Sequence, residues 1–282
     1  MNDNVNLNKA KSRKNDEYYT QYNDIEKEML NYNLTDKIIY CNTDDKSSNF
    51  YKYFKDNYKK HKLKGLYISS LNKELVYYNG IEETHTYLNN GSYDSEELKS
   101  VLDLSNIVIT NPPFSKWRNY FDFLIKNNKD FIILGTLLNV STKNVFKHFV
   151  NNKVRLGKSI YKGSTFFIND NELKLLTNAR WFTSLDVTGK MKISLSKNYN
   201  EAEYLKYDNH NIINVDRSKD IPIDYDGYMG VPLNYLDYFD YSLFNLIGID
   251  RYTDLNKEYG KRFKVGGKEK FARIIIKRKT LK

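Results

Sequence analysis

Apolar residues fall in short runs separated by polar segments with helical spacing. Lys37 to Cys41 (KIIYC), Gly65 to Ser69, Asn106 to Thr110 (NIVIT) and Phe131 to Leu134 (FIIL) have the length and bias of buried strands. Asp24 to Tyr32 reads as a short helix before them. Phe50, Tyr53, Phe54 and Tyr58 then recur on one helix face, and Trp117 to Ile125 is helical again. Strands alternating with helices predict βαβ units and a mainly parallel α/β sheet. After about residue 153 the rhythm changes. Ser164 to Ile168 and Arg180 to Leu185 read as strands with no helix between them, which predicts an antiparallel edge. Farther on, Gly266-Gly267 between strand-like runs predicts a hairpin. A soft boundary near residue 190 separates 16–190 from 191–282, and the polar residues 1–15 read as a disordered basic arm.

Composition narrows the class. The chain has 282 residues, 40% of them hydrophobic, enough for a large core. No stretch approaches the roughly 18 apolar residues of a membrane span, and the polar start lacks a secretory signal. Cys41 is the single cysteine, so no intramolecular disulfide can form; a buried strand residue is the expectation for it. These features point to the cytoplasm, and the lysine, asparagine, isoleucine and tyrosine bias to an AT-rich bacterial or phage genome. Charge is clustered: Leu255 to Lys282 holds eleven Lys or Arg against two acids, +9 of the chain's formal +10. Such a block fits a polyanion partner, with Lys261, Arg262, Lys264, Lys268, Lys270 and Arg273 as candidate contacts. A solvated tail is the plain alternative.

The chemistry-bearing motif is Asn111-Pro112-Pro113-Phe114, directly after NIVIT. In doubly wound sheets ligands bind beyond the carboxyl ends of strands. Neither proline has an N–H and both fix φ, so the loop is stiff and presents carbonyls. The Asn111 side-chain oxygen and the Pro112 carbonyl are two acceptors suited to one amino group. An exocyclic amine on an aromatic base is a poor nucleophile because its lone pair is delocalised. Two acceptors on its hydrogens favour the tetrahedral, positively charged nitrogen that forms on alkylation. Phe114 can stack on the base. The alternative is a proline turn that ends a strand.

Two further segments are candidates for a cofactor. The loop after the first strand, Asn42-Thr43-Asp44-Asp45-Lys46-Ser47-Ser48-Asn49, has no glycine, but its Asp and Asn residues tolerate left-handed backbone. A carboxylate of Asp44 or Asp45 can take an ammonium or a ribose hydroxyl; an Asx turn and helix cap is the other reading. Before the first strand, Tyr18, Tyr19 and Thr20 of Glu17-Tyr18-Tyr19-Thr20-Gln21 pack on the same ligand or, alternatively, form a helix entry with Thr20 as cap. His61, His85, His148 and His210 have no metal spacing, so no metal is expected. No P-loop and no Gly-x-Ser-x-Gly elbow is present.

With these segments in view, the chain resembles the EcoRI-type adenine-specific DNA methyltransferases. The resemblance runs from about Asp16 to the C-terminus through EYYTQYNDIEKEM, IIYCNTDD, SNFYKYF, IVITNPPFS, ARWFTSLD, KYDN, IPIDYDGYMGVPLNYLD and GKEKFARIII. It implies a Rossmann-like methyltransferase fold over 16–190 and a DNA-recognition lobe over 191–282. It also implies S-adenosylmethionine as cofactor, held by Tyr18, Tyr19, Thr20, Asn42, Asp44, Asp45 and Asn49, with Asn111 to Phe114 as catalytic tetrad. Duplex DNA with a flipped adenine is the implied substrate. A monomer working beside a separate restriction endonuclease is the expected arrangement. One departure stands out. The family often reads Gly-Asp-Phe-Arg-Ser where this chain has Gly91-Ser92-Tyr93-Asp94-Ser95, so Asp94 either replaces the missing cofactor-adenine ligand or caps the next helix. Phe166, Phe167, Trp181 and Phe182 are candidates for the opposite wall of a base pocket, or core. The tetrad also occurs in RNA guanine and protein glutamine methyltransferases, and a non-catalytic DNA-binding module on the same fold is a further alternative.

Overall fold

A computed structural model describes residues 19–159, 165–169, 172–176, 178–208 and 210–279. The expected basic arm and Tyr18 lie outside the described residues. The elements run β1 (Tyr19–Thr20), α1 (Tyr22–Met29), β2 (Ile38–Cys41), α2 (Asn49–Asp56), β3 (Gly65–Ser69), β4 (Glu74–Tyr78) and β5 (Glu83–Tyr87). They continue with α3 (Lys99–Leu104), β6 (Ile107–Thr110), α4 (Trp117–Lys126), β7 (Asp130–Thr136), α5 (Lys143–Val150), β8 (Arg155–Leu156), β9 (Thr165–Asn169), β10 (Glu172–Leu176) and β11 (Ala179–Thr183). The last strands are β12 (Ile212–Asn214), β13 (Tyr228–Pro232), β14 (Phe244–Ile249), β15 (Lys264–Val265), β16 (Lys268–Glu269) and β17 (Arg273–Arg278).

The chain divides into two compact units. One runs up to Thr136 and resumes over Gly157–Gly189; the other comprises Leu137–Leu156 and Lys190–Lys282. In the first, the strand order β5-β4-β3-β2-β6-β7-β11 places four parallel strands, β3, β2, β6 and β7, at the centre. Their apolar runs are buried on both faces, as parallel strands require: every residue of Ile107–Thr110 is buried. From β2 the chain moves outward to β3, then returns to β6 on the other side. A crevice therefore opens at the carboxyl ends of β2 and β6, where ligands bind in such sheets. The antiparallel edge expected late in the chain is β11 on β7. A second antiparallel flank, β4 and β5 on β3, was not anticipated. The strand expected at Ser164 to Ile168 does not join this sheet; β9 pairs with β1 and β10 in a separate three-stranded sheet.

Helices α1 and α2 cover the core with Ile25, Met29, Phe50, Tyr53 and Phe54. Glu28 on α1 is fully buried and fully used. Its carboxyl group accepts the Tyr32 hydroxyl and the backbone N–H groups of Lys158 (3.1 Å) and Ser159 (2.7 Å), so a polar group inside the core is met by donors.

In the second unit β12, β13, β17 and β14 form a sheet in that order, parallel between β12 and β13 and antiparallel elsewhere. Helix α5 packs on β14, which groups residues 137–156 with this unit rather than with the segment 16–190. The predicted hairpin is β15–β16. Gly266 and Gly267 adopt φ of 58° and 76°, a pair of left-handed conformations that glycine takes without strain.

Candidate active site

Three parallel strands end on one cavity. Asn42 to Asp45 follow β2, Ser70 to Asn72 follow β3, and Asn111 to Pro113 follow β6; all line a cavity of about 310 Å³. Thr20, Ser48, Asn49, Phe50, Gly91, Ser92, Tyr93 and Lys116 complete the wall. The volume lies in the range of about 300–1,000 Å³ found for small-molecule sites. Gly91 is required by close approach, since a Cβ there would stand 2.1 Å from the Ser70 carbonyl oxygen.

The loop after β2 is tied to the end of β6 by hydroxyls. Thr43 Oγ1 lies 2.5 Å from Thr110 Oγ1, which donates to the Asp44 carboxylate. Since Thr110 spends its proton on Asp44, Thr43 is the donor of the first bond, and the chain runs Thr43 to Thr110 to Asp44. Thr43 also reaches the Asn111 carbonyl at 3.4 Å. Burial pushes the Asp44 carboxyl up to about 7, against the opposing hydrogen bonds of Thr110 and Ser48. A cavity wall with a desolvated carboxylate of this kind favours a cationic ligand.

Asn42 is buried, and its Oδ1 accepts the hydroxyl of Tyr120 from α4, the helix that follows the tetrad. Its Nδ2 has no hydrogen-bond partner, nor has Thr20 Oγ1. Both residues line the cavity. Two buried polar groups left open on one wall are expected where a ligand completes them. Thr20 does not cap α1; the helix begins after Gln21 without a side-chain cap. Asn49 donates from Nδ2 to the Thr20 carbonyl at 2.8 Å, holding β1 against α2. Asp45 lines the cavity while turning its Oδ1 to the Ser47 N–H at 2.8 Å, and Ser48 caps α2 through the Tyr51 N–H at 3.1 Å. The Asx-turn and cap readings of this loop therefore coexist with its place on the cavity.

The tetrad divides. Asn111, Pro112 and Pro113 line the cavity; Phe114 is half-buried beside it, at the start of a 3-10 turn, and is not part of the wall. Pro113, at φ −54° and ψ 126°, keeps the extended backbone that the proline pair dictates. At the departure from the family pattern, Ser92 and Tyr93 line the cavity but Asp94 does not. Asp94 is exposed and accepts the Ser92 hydroxyl at 2.5 Å, and the turn that begins at Glu96 has no side-chain cap. Tyr93 stands edge-on to Tyr120 at 4.8 Å. Trp181 and Phe182 are core: Trp181 packs on Phe50, and Phe182 on the buried Trp117. The backbones of Tyr19, Phe166 and Phe167 are described and their side chains are not. Sequence reasoning missed Ser70, Tyr93, Thr110, Lys116 and Tyr120. Only Lys116 carried a signal, as a cation two residues past the tetrad.

The six basic candidates do not act alike. Arg273 is buried with its guanidinium on Asp216 at 3.2 Å, and Arg262 pairs with the buried Asp250 at 3.1 Å. Burial raises the Asp250 carboxyl above its ordinary range in spite of that guanidinium. Both guanidinium groups are engaged by carboxylates within the fold. Lys270 pairs with Asp216 and Lys261 with Glu258 at the surface. Lys264 and Lys268 form no ion pair among the described residues. Their hairpin is fixed by Asp208, whose carboxylate accepts the N–H groups of Gly266 (2.9 Å) and Gly267 (2.7 Å). Among the described residues no cluster is arranged to hold a metal ion, and no helix is long and apolar enough to cross a membrane.

Comparison with known proteins agrees over nearly the whole chain. A family model described as "Adenine-specific methyltransferase EcoRI" matches residues 6–88 and 72–279. The Type II methyltransferase M.EcoRI of Escherichia coli is 36% identical, over 98% of this chain and 97% of its own. M.MgeORF184P of Mycoplasma genitalium is 32% identical (98% and 99%), and M.MpnI of Mycoplasma pneumoniae 30% identical (97% and 98%). No solved structure gives a significant match.

Proposed function

This chain belongs to the EcoRI family of adenine-specific methyltransferases, and from that premise we propose that its cavity brings S-adenosylmethionine and a flipped adenine of duplex DNA together. The enzyme is a site-specific adenine methyltransferase of DNA. What supports the placing of the chemistry is one observation: Asn111 to Pro113 and Asn42 to Asp45 wall the same cavity.

The residues present fit the cofactor. Asn42 Nδ2 and Thr20 Oγ1 are open polar groups, Asp44 and Asp45 supply acceptors, and Tyr93 supplies an aromatic edge. When bound, S-adenosylmethionine supplies an electrophilic methyl group on a sulfonium. Asn111 Oδ1 and the Pro112 carbonyl hold the adenine amino group by its two hydrogens and aim its nitrogen lone pair. As positive charge develops on that nitrogen, the two oxygens stabilise it. No base is needed before the transfer; the surplus proton leaves the charged amine afterwards. Phe114, the last residue of the tetrad, is assigned to the base face. Unstacking the adenine from the duplex costs a few kcal/mol, offset by its contacts in the pocket. The lobe over 191–282 is assigned to DNA, with Lys264 and Lys268 as phosphate contacts. The working form is taken as a monomer in the cytoplasm, beside a restriction endonuclease of the same recognition sequence.

The test is expression in a bacterial host free of DNA methylation, followed by sequencing that detects N6-methyladenine. Methylated adenine confined to one sequence context is expected. No methylated adenine, together with methyl transfer onto RNA or protein, would overturn the reading.

A further inference from the structure

Phe271 combines two properties that seldom coincide. Its side chain is 65% exposed, while its backbone is pinned. Its carbonyl accepts from the buried Arg273 guanidinium at 3.0 Å, and the preceding N–H, of Lys270, donates to the Phe263 carbonyl at 2.9 Å. Ala272, next in the chain, is fully buried at the entry to β17. The ring therefore cannot fold into the sheet without breaking this anchorage. Behind it, the Arg262 guanidinium lies 5.8 Å from the ring centre and is itself held by both oxygens of Asp250. The ring and cation form a preset platform.

We infer that Phe271 makes the apolar, base-directed contact of a duplex-DNA surface on which Lys264 and Lys268 meet phosphates. The inference rests on the DNA methyltransferase reading. Charge complementarity selects the partner: the ring follows the hairpin whose Lys264 and Lys268 form no ion pair among the described residues, so the surface opposite must be anionic and yet offer something apolar. Duplex DNA does both, through its phosphates and through base faces or thymine methyl groups. Exposed phenyl rings serve as wedges that partly unstack a base step, and a ring already fixed in place loses little entropy on insertion.

The experiment uses the full chain and a duplex carrying the sequence that the wild type methylates. Dissociation constants of wild type, Phe271→Ala, Phe271→Trp and Lys268→Ala are measured between about 50 and 200 mM salt. An apolar contact releases no counterions. Phe271→Ala is therefore expected to bind about tenfold more weakly at every salt concentration, with an unchanged slope. Phe271→Trp should keep most of the affinity, and Lys268→Ala should flatten the slope. Unchanged melting temperature in Phe271→Ala confirms that the fold is intact. Binding of Phe271→Ala indistinguishable from wild type overturns the inference, as does a wild-type dimer that this substitution dissolves. A wild type that methylates no DNA removes the functional reading instead, a separate result.

Discussion

The cavity loops and the basic C-terminal block were both prominent in the sequence, yet they differ in how far residue type predicts role. At the cavity, most candidates share a place: Asn42, Asp44, Asn111 and both prolines line one wall because strand ends deliver them there, and Asn49 joins them from the first turn of α2. In the basic block, the charges look alike in sequence and separate in space. Arg262 and Arg273 satisfy carboxylates, while Lys264 and Lys268 remain available to a partner. A backbone-directed loop can be read locally, whereas the use of a cation depends on where its nearest carboxylate folds.

The largest effect that would sharpen this contrast is at the tetrad. Asn111→Ala is expected to lower methyl transfer by about 10²- to 10³-fold, the size of losing one preorganised transition-state contact. Cofactor affinity, measured by calorimetry, should stay near that of the wild type; near-full activity would break the assignment. Next comes Arg262→Ala. Removing it strands Asp250 without its partner, and urea unfolding should report a loss of about 3 kcal/mol. Lys268→Ala, one hairpin away, should leave stability unchanged. Equal effects of the two would erase the distinction between structural and available charges.

Tyr120→Phe is expected to weaken S-adenosylmethionine binding about tenfold, because the Asn42 amide is then free to rotate its Nδ2 away from the cavity. A change in kcat with unchanged cofactor affinity would contradict a positioning role. The last comparison is one of pH. Asp44 titrates near 7 in the free protein. Its folded value lies above the unfolded one, so its contribution to stability is full below the unfolded value and is lost as pH rises through about 7. A cationic ligand prefers the ionised carboxylate, so cofactor affinity should rise with pH up to about 7, by at most about tenfold per unit, and then level off. Asp44→Asn should flatten this profile.

The central strands were legible because IIYC, NIVIT and FIIL are apolar on both faces, and no other common element explains runs of that length. The tetrad was legible because two prolines dictate their own backbone. The Gly266-Gly267 turn was legible for the converse reason, since it needs a backbone that only glycine takes easily. The β4–β5 flank was missed: β4 is half-buried, β5 lies mostly in solvent, and their alternation is weak. The grouping of residues 137–156 with the second unit leaves no local mark in the sequence, because it rests on a helix packed against a distant strand. The Tyr120–Asn42 bond spans 78 positions, and neither residue betrays it. Asp94 attracted attention as an acid near a missing acid, but it is exposed and bonded to Ser92, while Ser92 and Tyr93 line the wall.

Thr110 deserves a last consequence. Its hydroxyl is a strut shared by the loop that follows β2 and the strand that delivers Asn111. The Asp44 carboxylate and the segment that begins at Asn111 are thereby tied through one oxygen atom. By thermodynamic reciprocity, any factor by which one guest alters the grip on the other must operate equally in the opposite direction. Any coupling between the two proposed guests would run through that hydroxyl, and Thr110→Val would remove it.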